Sequence, residues 1–368
     1  MSSTLHLSGE ITRLARDAGF DLAGVAGVAD VPEHQFFCEW IARGAAGEMN
    51  YLEARTATGQ LKRASLANAA AWARSVVVCA INYNTDQPYS THAGKTSQGW
   101  ISRYAWSQRD YHEIVLGKLR RLERRLLELC REREIAPPRT WCYVDTGPIV
   151  ERIYAKYAGI GSIAKNTCIL NEDLGSWLFL GVMLTSLELA PGIPAPDRCG
   201  SCTRCLDACP TNAFPAPYEL DATKCISYLT IEKRGSIPEE LREFIGRQVF
   251  GCDICQDVCP WNAKALRDVP ITFDLEMEPR AELVNPALAA LAAMDEAAFE
   301  AAFNGSPVRR AGFNGLRRNV AIVMGNSGLA GFASRLEDWS QEADEGLRSA
   351  ARWALGRLRG TNSGKEIS

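Results

Sequence analysis

The chain has 368 residues, 46% of them hydrophobic and 23% charged, with a formal net charge of −3. That length buries a sizeable core and accommodates two or three domains, while the slightly acidic balance argues against a surface that binds nucleic acid indiscriminately and leaves room for a local basic patch. Met1 to Arg16 has no long apolar run, twin arginine or small-residue cleavage site, so the thirteen cysteines read as metal ligands and core thiols of a cytoplasmic protein without a membrane span, not as a disulfide scaffold.

In chain order, residues 1–190 read as one mixed α/β domain. Helical periodicity covers Ile11–Ala18 and Tyr111–Arg133, where Val115, Leu119, Leu122, Leu126 and Leu129 recur every three or four residues. Strand candidates are Asp21–Val28, Ser75–Tyr83, Thr140–Val144 and Trp177–Leu184, and their alternation with helices fits a layered α/β or α+β core. No phosphate-binding glycine fingerprint follows these strands, which argues against a dinucleotide domain. Cys38, Cys79, Cys130, Cys142 and Cys168 sit in apolar surroundings and read as core thiols.

The proline-punctuated stretch Ala190–Pro196 leads into a second domain, 191–265. Cys199, Cys202, Cys205 and Cys209, followed by Pro210, spell the ferredoxin signature for a cubane [4Fe-4S] cluster. Cys252, Cys255 and Cys259-Pro260 form a second copy with Val249 at the first ligand position, and Cys225 can supply the missing thiolate. In two-cluster ferredoxins the last cysteine of each motif ligates the other cluster. One cluster therefore takes Cys199, Cys202, Cys205 and Cys259, and the other Cys209, Cys225, Cys252 and Cys255. Structural zinc prefers paired Cys-x2-Cys knuckles, and disulfides fit the spacing less well still.

From about Pro286 the chain reads as helix after helix. Leu316–Gly325 aligns with Leu347–Gly356 as a weak repeat, compatible with HEAT-type hairpins over 280–360 or with coincidence among alanine-rich helices. No acidic residue lies between Ala301 and Arg335 to interrupt Arg309, Arg310, Arg317 and Arg318. These arginines read either as a solvated helix face or as phosphate ligands.

Clusters wire electrons, so another centre must perform carbon chemistry. The segments Tyr143–Arg152, Gly159–Thr167 and Gly175–Gly181, with the cluster motifs and Gly305–Arg310, resemble the epoxyqueuosine reductases from about Leu61 to Gly328. The resemblance implies an α+β chain with a nitroreductase-like cobalamin-binding domain, a two-cluster ferredoxin-like domain and HEAT-like repeats. Its implied chemistry is removal of the epoxide oxygen of epoxyqueuosine at the tRNA wobble position, giving queuosine in the last step of that pathway. Cobalamin and two [4Fe-4S] clusters are the implied cofactors, and tRNA and an external electron donor the partners of a monomer.

The resemblance also assigns roles. Asp145 becomes the proton donor and a corrin neighbour, against the alternative of capping a helix that starts near Pro148. A carboxyl that donates near neutral pH needs burial under an apolar surface to hold its proton. Arg63, Ile169, Leu180, Ser227, Cys252 and Asp253 correspond to corrin contacts. Lys233 and Arg234 are placed to meet tRNA near the active site, and Arg309, Arg310, Arg317 and Arg318 its stem phosphates. Tyr104 and Trp106 read as a base-stacking pair or as core. Asp110-Tyr111-His112 is the sole Asp-x-His, but Val115 stands where the familiar cobalamin motif needs glycine. Ala164 and Ala105 depart from residues common in the family. A reductive dehalogenase is the nearest rival reading, and an electron-carrier module another, although 190 residues before the clusters exceed what a carrier needs.

Overall fold

The computed structural model describes residues 2–268 and 275–363. Its first domain is built on four strands, β1 (Leu22–Ala26), β2 (Ser75–Asn82), β3 (Thr140–Tyr143) and β4 (Leu178–Thr185), in the order β1-β2-β4-β3 with every pairing antiparallel. The sheet is thus of the α+β kind. The ends of all four strands fall within two residues of the stretches read from sequence.

Side chains alternate across this sheet because successive Cβ atoms point to opposite faces. Val77, Cys79 and Ile81 pack on α1 (Ser2–Asp17) and α2 (Tyr111–Glu132), while Val76, Val78 and Ala80 face α3 (Glu151–Tyr157). Leu119, Leu122 and Leu126 are fully buried on the sheet side of α2. Gly181 lets that helix lie close: a Cβ there would stand 2.8 Å from Val115. Helix α1 starts at Ser2, well before the Ile11–Ala18 stretch read as helical from sequence.

The cluster segment does not stand apart. Trp100–Ile101 of the first domain pairs in parallel with Gln248–Phe250. Helices α4 (Phe313–Ser327), α5 (Ala333–Trp339) and α6 (Glu345–Ser363) close a core that also holds Ile226, Leu229, Val249 and Phe250. Helices α4 and α6 carry the two repeat copies and press together so tightly that a Cβ on Gly325 would meet Ala354 at 2.8 Å. Asn319 ties them to the cluster segment, donating to the carbonyls of Thr230 at 2.8 Å and Val249 at 2.9 Å. Of the five cysteines outside the motifs, Cys79, Cys130 and Cys142 are buried core thiols, whereas Cys38 and Cys168 are half-buried.

Candidate functional site

A cleft of about 2150 Å³ is bounded by the 145–152 segment, Tyr51, Tyr104, Cys225, Ser227 and Arg310. Asp145 leaves β3 on an irregular segment with a left-handed φ of +55°, a conformation that side chains other than glycine adopt at a cost of order 1–3 kcal/mol. Helix α3 starts at Glu151, not near Pro148, and Asp145 does not cap it; its N-cap is Val150, with no side-chain bond. The contact runs the other way: Asp145 N–H donates to Glu151 Oε1 at 2.9 Å. Burial, then the Asp145 charge, hold Glu151 well above the usual carboxylate range.

The Asp145 carboxylate is half exposed and meets the start of α2. Tyr111 O–H donates to its Oδ2, and His112 Nε2 stands 3.5 Å from the same oxygen. Burial and the Asp145 charge raise the Tyr111 phenol well above its ordinary value. Arg63, buried in the cleft wall, donates to the carbonyls of Gly147 at 2.8 Å and Tyr51 at 2.7 Å. Gly147 has no room for a side chain, since a Cβ would overlap the Tyr143 ring at 1.7 Å.

The other positions carried over as corrin contacts divide. Ser227 and Arg63 line the cleft, whereas Ile169, Leu180, Cys252 and Asp253 do not. Ile169 belongs to the core under the sheet, and Leu180 pairs with Ala80 along β4. Asp253 is buried and fully committed: it accepts from Trp100 Nε1 at 2.9 Å, from Arg103 N–H at 2.8 Å and from Ser102. Trp106 is core beside Trp100, while Tyr104 reaches the cleft.

The eight motif cysteines are half-buried. Burial pushes the Cys205 thiol up to about 11, with Cys199, Cys259 and Cys202 adding to the rise. Cys252 rises by burial and then through Cys225 and Cys209. Among the described residues no three His, Cys, Asp or Glu converge tightly enough for one metal ion, and the four thiolates of a cubane stand further apart than the ligands of a single ion. Backbone N–H groups already point at sulfur: Lys165 to Cys199 at 3.4 Å and Ala213 to Cys209 at 3.3 Å, the kind of donor that suits a cluster ligand. Sequence reasoning overlooked Lys165. Its buried ammonium donates to the carbonyls of Gly200 at 2.7 Å and Cys202 at 2.9 Å, and neighbouring Asn166 bonds the Cys255 carbonyl at 3.4 Å. The available signal was a lysine and an asparagine in an otherwise apolar turn.

The basic residues do not form one patch. Arg309 and Arg310 line the cleft; Arg309 pairs with Glu300 at 2.7 Å, and Arg310 grips Glu232 with two nitrogens and lies over the Tyr51 ring. Arg318, read as a phosphate ligand, is instead 3% exposed and donates to the carbonyls of Leu229, Lys233 and Gly235. Arg317 is sandwiched by Phe313 and Trp339 and paired with Glu342 at 2.5 Å. Lys233 pairs with Glu48, and the Arg234 guanidinium bonds the carbonyls of Ile231, Arg310 and Ala311; neither lines the cleft.

Comparison with known proteins places these features. Residues 198–262, which hold all eight cysteines, match the 4Fe-4S double cluster binding domain, so the chain carries two [4Fe-4S] clusters. Residues 63–146 match the family described as epoxyqueuosine reductase QueG, DUF1730. The epoxyqueuosine reductase of Xanthomonas campestris pv. campestris is 36% identical over 354 residues, covering 94% of both chains. That of Gloeobacter violaceus is 40% identical over 324 residues, 87% of this chain and 96% of the relative. Among solved structures, an epoxyqueuosine reductase with an epoxyqueuosine-modified tRNA-Tyr stem loop superposes with a TM-score of 0.83 at 30% identity, over 96% of this chain and 90% of that one. A Bacillus subtilis epoxyqueuosine reductase with its catalytic loop swung out of the active site gives a TM-score of 0.80 at 31% identity, with the same coverage. With relatives this similar over nearly its whole length, the chain belongs to the epoxyqueuosine reductase family.

Proposed function

We propose that the chain removes the epoxide oxygen of epoxyqueuosine at the wobble position of tRNA, giving queuosine in the last step of its biosynthesis. One observation carries this reading: Asp145, a carboxylate, and Cys225, a cluster thiolate, border the same cleft. Electrons and a proton can therefore meet on one bound substrate. The reaction takes two electrons and two protons; both C–O bonds of the epoxide break, a carbon–carbon double bond forms, and the oxygen leaves as water.

The cleft also fits a corrin. Drug-sized ligands occupy pockets of roughly 300–1,000 Å³, and this one is about 2150 Å³, room for a macrocycle together with a nucleoside. Arg63 and Ser227, with Tyr104 and Ile149, would hold the group. When bound, cobalamin supplies a reduced cobalt nucleophile strong enough to open an epoxide. Asp145 is placed to protonate the oxygen released by ring opening. Cys225 brings the inner cluster, ligated by Cys209, Cys225, Cys252 and Cys255, to the cleft wall. The outer cluster, ligated by Cys199, Cys202, Cys205 and Cys259, is flanked by exposed Asp197, Arg198, Gly200 and Ser201, which suits it to receive electrons from an external donor.

This division supports a nitroreductase-like cofactor domain over 1–190, a cluster domain over 191–265 and a HEAT-like region over 280–360. Among the described residues no helix is long and apolar enough to cross a membrane; the proposed enzyme works on tRNA as a monomer in the cytoplasm. Arg309 and Arg310, at the cleft mouth, are the arginines best placed for its phosphates. The test is anaerobic incubation of cluster- and cobalamin-loaded protein with a reductant and tRNA bearing epoxyqueuosine, followed by nucleoside mass spectrometry. Loss of one oxygen from the modified nucleoside is the expected result; no conversion by fully loaded protein would overturn the assignment.

A further inference from the structure

The Asp110-Tyr111-His112 triplet has no role as a cofactor motif, yet the fold places it against the proton donor. Asp110 caps α2, its Oδ1 accepting from His112 N–H at 2.9 Å. The same oxygen lies 2.6 Å from His112 Nδ1, so the helix cap fixes one face of the imidazole to a carboxylate. The opposite nitrogen, Nε2, is 3.5 Å from Asp145 Oδ2. The ring cannot tumble freely: it stacks on Tyr111 with centroids 4.0 Å apart, and Tyr111 stacks on Phe179 at 4.2 Å. His112 remains 37% exposed, whereas Tyr111 is buried. The partly exposed imidazole is therefore within reach of both solvent and Asp145, a carboxylate that is itself half exposed.

We propose that His112 is the proton relay that recharges Asp145 between turnovers. This rests on the reading above, in which Asp145 gives up a proton to the substrate oxygen. The His112 imidazolium passes its Nε2 proton to Asp145 Oδ2 and becomes a neutral imidazole whose remaining Nδ1–H stays bonded to Asp110. After Asp145 has passed the proton to substrate, Nε2 takes a fresh proton from a solvent hydronium or buffer acid, whose conjugate base leaves to bulk, and no electrons move. Asp110 acts as the positioning residue, holding the tautomer with its lone pair toward Asp145 and stabilising the charged ring.

The electrostatics agree with that direction. Burial lowers the His112 pKa, but Asp110 and Asp145 together raise it above its ordinary value, against an opposing push from Arg310 across the cleft. Arg310 is itself engaged by Glu232, which limits that push. Tyr111, the other donor to Oδ2, holds its proton more tightly than a free phenol and so orients the carboxylate without supplying it. A separation of 3.5 Å is long for transfer, but catalytic hydrogen bonds are often loose before substrate binds and tighten afterwards.

The test uses holoprotein loaded with clusters and cobalamin. His112→Ala should bind tRNA with unchanged KM and turn it over about 10²-fold more slowly, the lower end of what general acid–base groups contribute. Added imidazole should restore turnover, and substituted imidazoles should do so in proportion to their basicity. Wild-type turnover in His112→Ala, or a loss that no imidazole rescues, would overturn the relay. A readout independent of turnover is the His112 ring titration by NMR in the oxidised holoprotein. It should shift to lower pH in Asp110→Asn and in Asp145→Asn, and an unmoved titration in Asp145→Asn would break the proposed pair. If wild-type protein failed to convert tRNA, the function would be wrong, but the titration would still report whether His112 and Asp145 are coupled.

Discussion

Arg63 grips the Asp145 segment by its main chain, one guanidinium nitrogen on the Gly147 carbonyl and another on the Tyr51 carbonyl. The fork thus ties together two segments that line the cleft. Arg63→Met would leave two carbonyls without their donor, each costing about 1–3 kcal/mol if it stays dry. The expected outcome is a lowered melting temperature with cluster absorbance intact. Turnover should fall by on the order of 10²-fold, because small misplacements of a catalytic group are that costly. Arg63→Lys should not rescue, since an ammonium cannot reproduce the fork.

Asp145→Asn should leave the iron–sulfur and cobalamin spectra unchanged while lowering conversion of epoxyqueuosine by about 10²–10⁴-fold. Retained turnover in nucleoside mass spectrometry would remove Asp145 from the mechanism.

Glu151 gives a stability prediction whose sign follows from its raised pKa. A carboxyl that folding makes harder to ionise contributes its full stability below its unfolded value, and that contribution is lost as pH rises through the higher folded value. At neutral pH the group therefore destabilises. Glu151→Gln keeps an oxygen for the Asp145 N–H, so it should raise the melting temperature by roughly a few degrees near pH 7 and leave it unchanged near pH 3. Equal melting curves at both pH values would mean that folding does not raise the Glu151 pKa.

Lys165 places a buried positive charge on the Cys199–Cys202 loop, which belongs to the outer cluster in the proposed ligand assignment. A cation beside a cluster favours the reduced, more negative state. Lys165→Gln should lower the reduction potential of that cluster more than that of the inner one, as followed by redox-poised electron paramagnetic resonance, and Lys165→Arg should restore it. Identical potentials in all three proteins would reduce Lys165 to a clamp.

The arginines separate by burial. If Arg309 and Arg310 each meet a phosphate, replacing either by alanine should reduce the salt slope of tRNA binding by about one. Arg318→Ala should instead lower the melting temperature, because the carbonyls of Leu229, Lys233 and Gly235 lose their donor.

What could be read from the sequence follows from how strictly each feature constrains residue type. A cubane needs thiolates at fixed intervals, so Cys199 to Cys259 were legible. The strands were legible because β2 and β4 are continuous apolar runs and α2 repeats leucine at helical spacing. The cleft left less trace: Tyr51, Asp145, Ser227 and Arg310 are far apart in the chain and converge only through the sheet and the shared C-terminal core. Arginine spacing shows where charge is, not where it points, so exposed Arg309 and buried Arg318 look alike in sequence. The start of α3 was misplaced because Pro148 is a common first helical residue, while here the Arg63 bond to Gly147 holds that stretch out of the helix.

The shared core under α4 and α6 means that this chain cannot be dissected into interchangeable modules. A polypeptide ending before Phe313 would strip the apolar cover from Val249 and Phe250 and withdraw the Asn319 and Arg318 donors from the Thr230, Val249 and Leu229 carbonyls. Such a truncation would not survive as a small electron carrier. The wiring borrows its foldedness from the helices beyond it, so damage at the far end of the chain should be felt first as bleaching of the clusters.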